Sequence, residues 1–508
     1  MMNERGKSDG FVVPKTPANN TDKQMLESSH QSMSIAEQVE GRRSAEGNLV
    51  RCAKGRTQSR DTLQAALDRI RQAAGRDSEL RLSALWHHVY NVDRLREEFY
   101  RLKPTAAAGV DGQTWHGYGE ALESNLQDLS SRLKRGSYRA RPVRRVMIPK
   151  ADGRERPIGI PTLEDKVVQR SAATVLGALY EVDFMGFSYG FRPGRSAHDA
   201  LDALSVGLVR RKINWVLDAD ISGFFDAIDH ESLVKFIEHR VADRRVIRHV
   251  KKWLRAGVLE DGKRTLSQSG TPQGGSISPL LANIYLHYVF DLWVHQWRQR
   301  QTNGDVIVVR YADDFVVGFQ HRSEAESFQK VLRQRLGKFN LKLHPEKTRL
   351  MEFGRFAGSN RKRDGQSKPE TFDFLGFTHA CSKSRRGSFV VLRFPISKRV
   401  RAKLSDIKAG LKYRMHQPVA ETGRWLQSVV GGWLRYYAVP RSFRWLQSFR
   451  NRVMRLWWWN LRRRGDKRKT TWSQIYRLSA RWLPLPRIIH PYPEQRLSVK
   501  TQSRSPVR

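Results

Sequence analysis

Val306-Ile307-Val308-Val309-Arg310-Tyr311-Ala312-Asp313-Asp314-Phe315-Val316-Val317-Gly318-Phe319 sets two apolar, β-branched runs on either side of a pair of adjacent aspartates. Such runs form strands, and the short interruption between them has the length of a tight turn. Strands this apolar are buried, so the two carboxylates at their junction lose hydration while repelling each other. A bound divalent cation is the most economical way to offset that cost. A hairpin whose turn happens to be Asp-Asp is the plainer reading, because Asp is a common turn residue.

A second acidic cluster lies upstream. Trp215-Val216-Leu217-Asp218-Ala219-Asp220-Ile221 reads as a buried strand, with Asp226 and Asp229 beyond it. If that strand pairs beside the 306–319 hairpin, Asp220 meets Asp313 and Asp314. Three carboxylates around two Mg2+ ions, ~3.5–4 Å apart, form a clamp for in-line displacement at phosphorus. Mg2+ suits such a site because it takes few protein carboxylates and fills its shell with phosphate oxygens and water. Strand alternation puts Asp218 and Asp220 on one face, so spacing alone leaves both open as the third ligand. Asp226 and Asp229 read as helix N-terminal capping residues.

Composition names the class of partner. The 508 residues suffice for two to four domains, and 92 Lys and Arg against 50 Asp and Glu give a formal charge of +42. An excess of that size points to a polyanion, and nucleic acid is the leading one. No apolar stretch approaches the ~20 residues of a spanning helix, and Met1 to Gly10 lacks the apolar core of a signal peptide, so no membrane partner is expected. Cys52 and Cys381 form no CxxC pair, which excludes a cysteine-based zinc module and fits a reducing cytoplasm.

Periodicity gives a mixed architecture. Residues 1–60 read as a polar, disordered tail. Thr62 to Lys103 turns helical, with Leu63, Ala66, Leu67 and Ile70 on one face. Strand-like, basic text follows between Tyr138 and Gly159, with a turn at Asp152-Gly153. Helices are predicted over Leu163–Tyr180, Glu231–Gly257, Pro279–Trp297 and Ser323–Phe339, and Arg355–Lys368 reads as a basic loop. Beyond Lys398 the chain is helical, basic and tryptophan-rich to about Trp482. Strands and helices are mixed rather than strictly alternating, which predicts an α+β core followed by a helical C-terminal part.

These residues carry an extended resemblance. Tyr311-Ala312-Asp313-Asp314 resembles the YADD box of reverse transcriptases. Asp220-Ile221-Ser222-Gly223-Phe224-Phe225-Asp226 resembles their first metal-binding motif, and Gly270-Thr271-Pro272-Gln273-Gly274-Gly275-Ser276-Ile277-Ser278-Pro279 the box between. Ala108-Gly109-Val110-Asp111-Gly112, Ser188-Tyr189-Gly190-Phe191-Arg192-Pro193-Gly194-Arg195-Ser196, Leu343-His344-Pro345-Glu346-Lys347-Thr348 and Phe374-Leu375-Gly376-Phe377 resemble blocks of the group II intron-encoded reverse transcriptase–maturases. The likeness runs from about residue 60 to the mid-490s, with every block in order.

That resemblance implies a right-hand polymerase. An N-terminal extension and fingers would occupy 61–205, a palm with an antiparallel sheet 206–390, a helical thumb and maturase region 391–470, and a DNA-binding segment 471–508. It favours Asp220 over Asp218 and implies metal binding at Asp220, Ile221, Asp313 and Asp314, with Mg2+ ions as cofactor and dNTPs as substrates. The implied activity is RNA-directed DNA synthesis combined with splicing and retrohoming of an intron. The implied partners are group II intron RNA, a DNA target and a primer, in a bacterial cytoplasm close to the nucleoid. Members often continue into an HNH endonuclease with cysteine pairs, which this sequence lacks, so second-strand cleavage is not expected of it. A maturase acting only as an RNA chaperone, or a reverse transcriptase serving DNA repair or phage defence, would use the same blocks.

Further candidates follow. Lys150 and Arg156 flank a turn and suit a triphosphate clamp, though solvated basic residues are common here. The resemblance makes Phe225 a gate against a ribose 2′-OH; otherwise a core phenylalanine is the default. Gln273 stands among small residues that let backbone approach a nucleotide. Lys347 is a candidate proton donor to leaving pyrophosphate, or a plain surface lysine. Asp111 reads as a turn former. Trp433, Tyr436 and Tyr437 share one helical face, a pattern that more often packs a core. Under the resemblance they join Arg435, Arg444 and Arg452 against RNA. Trp457-Trp458-Trp459 cannot all face one core.

Overall fold

The computed structural model describes residues 11–14, 46–149, 155–260, 263–265, 270–271, 274–366, 368–464 and 471–500. The apolar runs pair as predicted. β1 (Trp215–Asp220), β2 (Val306–Tyr311), β3 (Asp314–Phe319) and β4 (Arg349–Glu352) form one antiparallel sheet in the order β2-β3-β1-β4. Tyr311 lies opposite Asp314, so Ala312 and Asp313 make the turn.

Because side chains alternate along a strand, this sheet has two different faces. On one face Leu217, Ala219, Val308, Phe315, Val317 and Phe319 join a core built with the helices Leu163–Tyr180, His230–Glu238, Ser278–Leu286 and Arg322–Gly337. On the other, Val216, Ile307, Val309, Val316 and Met351 join a second core shared with the helices Ala197–Arg210, Val419–Tyr437 and Phe443–Arg462. Asp218, Asp220 and Asp314 belong by alternation to this second face. The acidic residues therefore sit at the end of the sheet that looks toward the C-terminal helices.

Several predicted elements form as read and others shift for local reasons. The helix Leu163–Tyr180 is capped by the Thr162 side chain, which accepts from Asp165 N. The basic hairpin pairs Val143–Pro149 with Glu155–Ile160, Ile148 opposite Arg156, while its Asp152-Gly153 turn lies outside the described residues. The single helix expected over 231–257 is broken into His230–Glu238 and Arg244–Leu254. Asp243 caps the second piece by accepting from Arg245 N, and its other oxygen takes the N–H groups of Leu85 and Trp86. The apolar helix after 278 carries a π-helical turn at His287–Asp291 before continuing as Leu292–Gln301. A short helix, Ala357–Arg363, occupies the expected 355–368 loop.

Two corrections apply to the termini and the aromatic stripe. The polar tail expected over 1–60 is not uniformly structureless: a helix already begins at Glu46, and Phe11–Pro14 pairs antiparallel with Leu497–Lys500. The rest of that tail lies outside the described residues. Trp433 and Tyr437, assigned to RNA, are buried in the second core, where Trp433 stacks on Phe449 with centroids 3.7 Å apart. The Tyr436 hydroxyl is spent on the Leu375 carbonyl at 2.7 Å. The stripe is packing, because a helix facing a sheet must bury its apolar face. In the tryptophan triplet Trp457 is buried and Trp459 is 54% exposed. Among the described residues no helix is long and apolar enough to cross a membrane.

If the stripe is core, Trp433→Ala lowers stability by about 3–5 kcal/mol. Chemical denaturation should register that loss, while RNA affinity measured well below the melting temperature stays at the wild-type level.

Candidate active site

The register of the sheet brings the acidic residues together. Asp220, the last residue of β1, stands directly opposite Asp314, the first of β3, and Asp313 occupies the adjoining turn. Asp218 lies two residues back along the same face. The turn is held in a sparsely populated backbone state, with Ala312 at φ 59°, a conformation that costs an alanine about 1 kcal/mol or more. The end of β1 is pinned from the side, where its Asp220 carbonyl accepts from His344 N at 2.8 Å.

Burial dominates the electrostatics of the cluster. Burial pushes the Asp314 carboxyl well above the usual range, and Asp218, Asp220 and Asp313 push it further, with Lys347 opposing. Asp218 is raised to about 7, by burial first and then by Asp373 and Asp220, against the pull of Arg349. The Lys347 ammonium donates to Asp220 Oδ2 at 2.5 Å from a side chain that is 56% exposed. It is thus one cation at the cluster, beside the Arg349 that acts on Asp218, and it sits on an exposed stem. An all-oxygen donor set of this kind matches a hard divalent cation such as Mg2+. Among the described residues no three His, Cys, Asp or Glu side chains already converge at ligand spacing. Asp220, Asp313 and Asp314 would hold the ion. Ile221 is 2% exposed and apolar, so its part in such a shell is limited to its main-chain carbonyl.

The other predicted residues fall into two groups. Phe225 is half-buried, edge-on to Phe224 at 5.4 Å, and its carbonyl accepts from Thr271 N at 2.8 Å. That bond ties the 270–279 box to the first acidic motif. Asp229 caps the next helix by accepting from Ser232 N at 2.7 Å, as expected. Lys150 and Gln273 lie outside the described residues, and Arg156 is placed only by its backbone. Arg435, Arg444 and Arg452 are exposed on the C-terminal helices, Arg444 with its guanidinium 3.9 Å from the Trp445 ring centroid.

Sequence reasoning missed a basic groove of about 860 Å3, lined by Arg139, Arg244, Arg248, Lys251, Lys252 and Arg255 among others. The signal was present in Arg244–Leu254, a helix with one apolar and one cationic face, but the opposing wall comes from distant residues. Reasoning also missed Arg310, a lone cation directly after the apolar run 306–309, which is fully buried.

The raised Asp218 value has a checkable consequence. The folded state holds a proton on Asp218 that the unfolded chain gives up near pH ~4, so this position favours folding less and less as pH rises to about 7. Without divalent cations, Asp218→Asn should leave the thermal midpoint unchanged near pH ~4 and raise it near pH ~8. A midpoint equal to wild type at the higher pH would contradict the strained-carboxyl reading.

Comparison with known proteins gives the family. Residues 148–379 match the family model described as reverse transcriptase (RNA-dependent DNA polymerase). Protein YkfC of Escherichia coli (strain K12) is 32% identical over 311 residues, 54% of this chain and 81% of that protein. Group II intron-encoded protein LtrA of Lactococcus lactis subsp. cremoris is 35% identical over 230 residues, 44% of this chain and 37% of LtrA. The putative COX1/OXI3 intron 1 protein of Saccharomyces cerevisiae is 28% identical over 260 residues, 51% of this chain and 30% of that protein. The match thus spans about a third of the intron proteins and most of YkfC. The chain belongs to the reverse transcriptase family, among the group II intron-encoded reverse transcriptases and maturases.

Proposed function

We propose that this chain copies RNA into DNA at Asp220, Asp313 and Asp314 by a two-metal mechanism, and that it binds a group II intron RNA to promote its splicing and retrohoming. The observation that carries the reading is the register of Asp220 against Asp314, with Asp313 in the turn between. Bound Mg2+ would supply the Lewis acidity that activates a primer 3′-OH and neutralises departing pyrophosphate. The protein's part is positional. Asp220, Asp313 and Asp314 offer oxygen ligands on one sheet end, and Lys347 leaves Asp220 for the phosphates, where its ammonium can give a proton to pyrophosphate. Phe225, five residues past Asp220, would be the ribose gate, Gln273 would serve the templating base or incoming nucleotide, and Lys150 and Arg156 would clamp the triphosphate.

In this reading residues 61–205 are an N-terminal extension and fingers, 206–390 palm, 391–470 thumb and maturase region, and 471–508 a DNA-binding segment and tail. Template and intron phosphates would lie along the basic groove of Arg139, Arg248 and Lys252 and along Arg435, Arg444 and Arg452, where cations position a backbone without reading sequence.

Primer extension on an RNA template tests the reading. Wild type should make dNTP- and Mg2+-dependent cDNA. The Asp313→Ala/Asp314→Ala protein should lose at least about 10³-fold of that activity while still binding RNA. Absence of cDNA from wild type would overturn the polymerase assignment.

A further inference from the structure

Arg310 occupies the residue before Tyr311 and, by strand alternation, points to the face opposite Asp314. Its side chain is fully buried, and so is that of its partner Asp291. A guanidinium carries five N–H donors, and here every one is used. Nε donates to Asp291 Oδ1 at 2.7 Å and Nη2 to Asp291 Oδ2 at 2.5 Å. Nη2 also donates to Ser188 Oγ at 2.7 Å, while Nη1 donates to Asn283 Oδ1 at 3.1 Å and to the Ala312 carbonyl at 2.9 Å. The last bond reaches the left-handed residue of the acidic turn itself.

The partners close a circuit around that turn. Asn283 Nδ2 donates to the Gly190 carbonyl at 2.7 Å. Gly190 presses on the turn so closely that a Cβ there would lie 2.4 Å from Ala312 N. The backbone of 187–189 pairs with the same strand, Arg310 N donating to the Phe187 carbonyl at 2.9 Å and Tyr189 N to the Arg310 carbonyl at 2.8 Å. Asp291 ends the π-helical turn His287–Asp291, and Asn283 lies about two turns before it on the adjoining helix. The acidic turn is therefore gripped from beneath by an ion pair and from the side by the Ser188–Gly190 backbone. A buried ion pair adds little net stability over apolar packing of similar volume, so stability is a weak reason for this one. A planar fork that holds five acceptors at fixed angles is, by contrast, well suited to defining a geometry.

We infer that Arg310, with Asp291, Asn283 and Ser188, is the positioning device that fixes the Ala312-Asp313 turn so that Asp313 and Asp314 present their carboxylates at metal-binding geometry. It rests on the reading of those aspartates as the polymerase site. Arg310 touches neither substrate nor metal and acts only through the turn.

Three graded variants test this. Ser188→Ala deletes one acceptor and leaves every charge paired; Arg310→Lys keeps charge without the fork; Arg310→Met paired with Asp291→Leu replaces the ion pair by apolar groups. Circular dichroism and thermal melts establish folding, and measurements are made well below each melting point. The expected result is a kcat that falls progressively along the series, reaching roughly 10²-fold in the apolar pair, with KM for dNTP little changed. Mn2+ binding, followed by electron paramagnetic resonance, should weaken in the same order. A role confined to stability would lower melting points and leave kcat and Mn2+ affinity intact. Folded Ser188→Ala and Arg310→Lys proteins with wild-type values of both would overturn the inference. Should wild type make no cDNA, the polymerase reading fails by itself, and the Mn2+ titration still decides the role of Arg310.

Discussion

Asp220 and Asp314 face each other across neighbouring strands, with Asp218 and Asp313 beside them, and the sheet must hold these like charges together in a largely buried place. Left alone, such a cluster would take up protons or push the strand ends apart. The raised Asp218 and Asp314 carboxyls show the first tendency, and the surrounding structure resists the second. Lys347 puts a cation on one edge, the 341–344 segment pins the end of β1, and Arg310 grips the turn from the opposite face. The Arg310 bond to the Ala312 carbonyl is a charge-assisted hydrogen bond worth about 1.5–3 kcal/mol, which the turn loses if it moves away. The strain goes to a position where added divalent charge would relieve it.

The second consequence of the sheet is directional. One face is sealed by helices from the middle of the chain and the other by helices from its C-terminal part, and the aspartates open onto the second. Residues from distant parts of the chain thus meet on this side of the sheet: His198 Nε2 bonds the Tyr436 carbonyl at 2.8 Å, and Arg393 bonds Asp202 at 2.6 Å. The C-terminal helices are consequently part of the wall around the acidic end of the sheet. That is why the Trp433 and Tyr437 rings are needed as packing, leaving the outward arginines for a polyanion.

Much of this was legible in the chain. The 306–319 strands announced themselves because β-branched residues crowd them, and Leu163–Tyr180 because apolar spacing and the Thr162 cap agree. The pairing of Asp220 with Asp314 was legible only as a condition, since register is a long-range property that local pattern does not encode. Asp218 and Asp220 remained equivalent by spacing for the same reason, and both prove to belong to the cluster. The break at Asp243 was missed because its cap also serves a partner more than 150 residues away. Periodicity alone reads the Trp433 stripe as core, family likeness points it at RNA, and the packing of Trp433 on Phe449 agrees with periodicity. Arg310 escaped because a single charge in an apolar run has meaning only once Asp291, Asn283 and Ser188 are brought to it.

The central claim is that the end of this sheet is a divalent-cation site for nucleotidyl transfer. Anomalous diffraction from crystals of the chain with primer, template, an incoming dNTP and Mn2+ tests it most directly. Anomalous density bounded by Asp220, Asp313 and Asp314 is the expected result. Active protein whose Mn2+ lies elsewhere, with those three carboxylates unliganded, would contradict it.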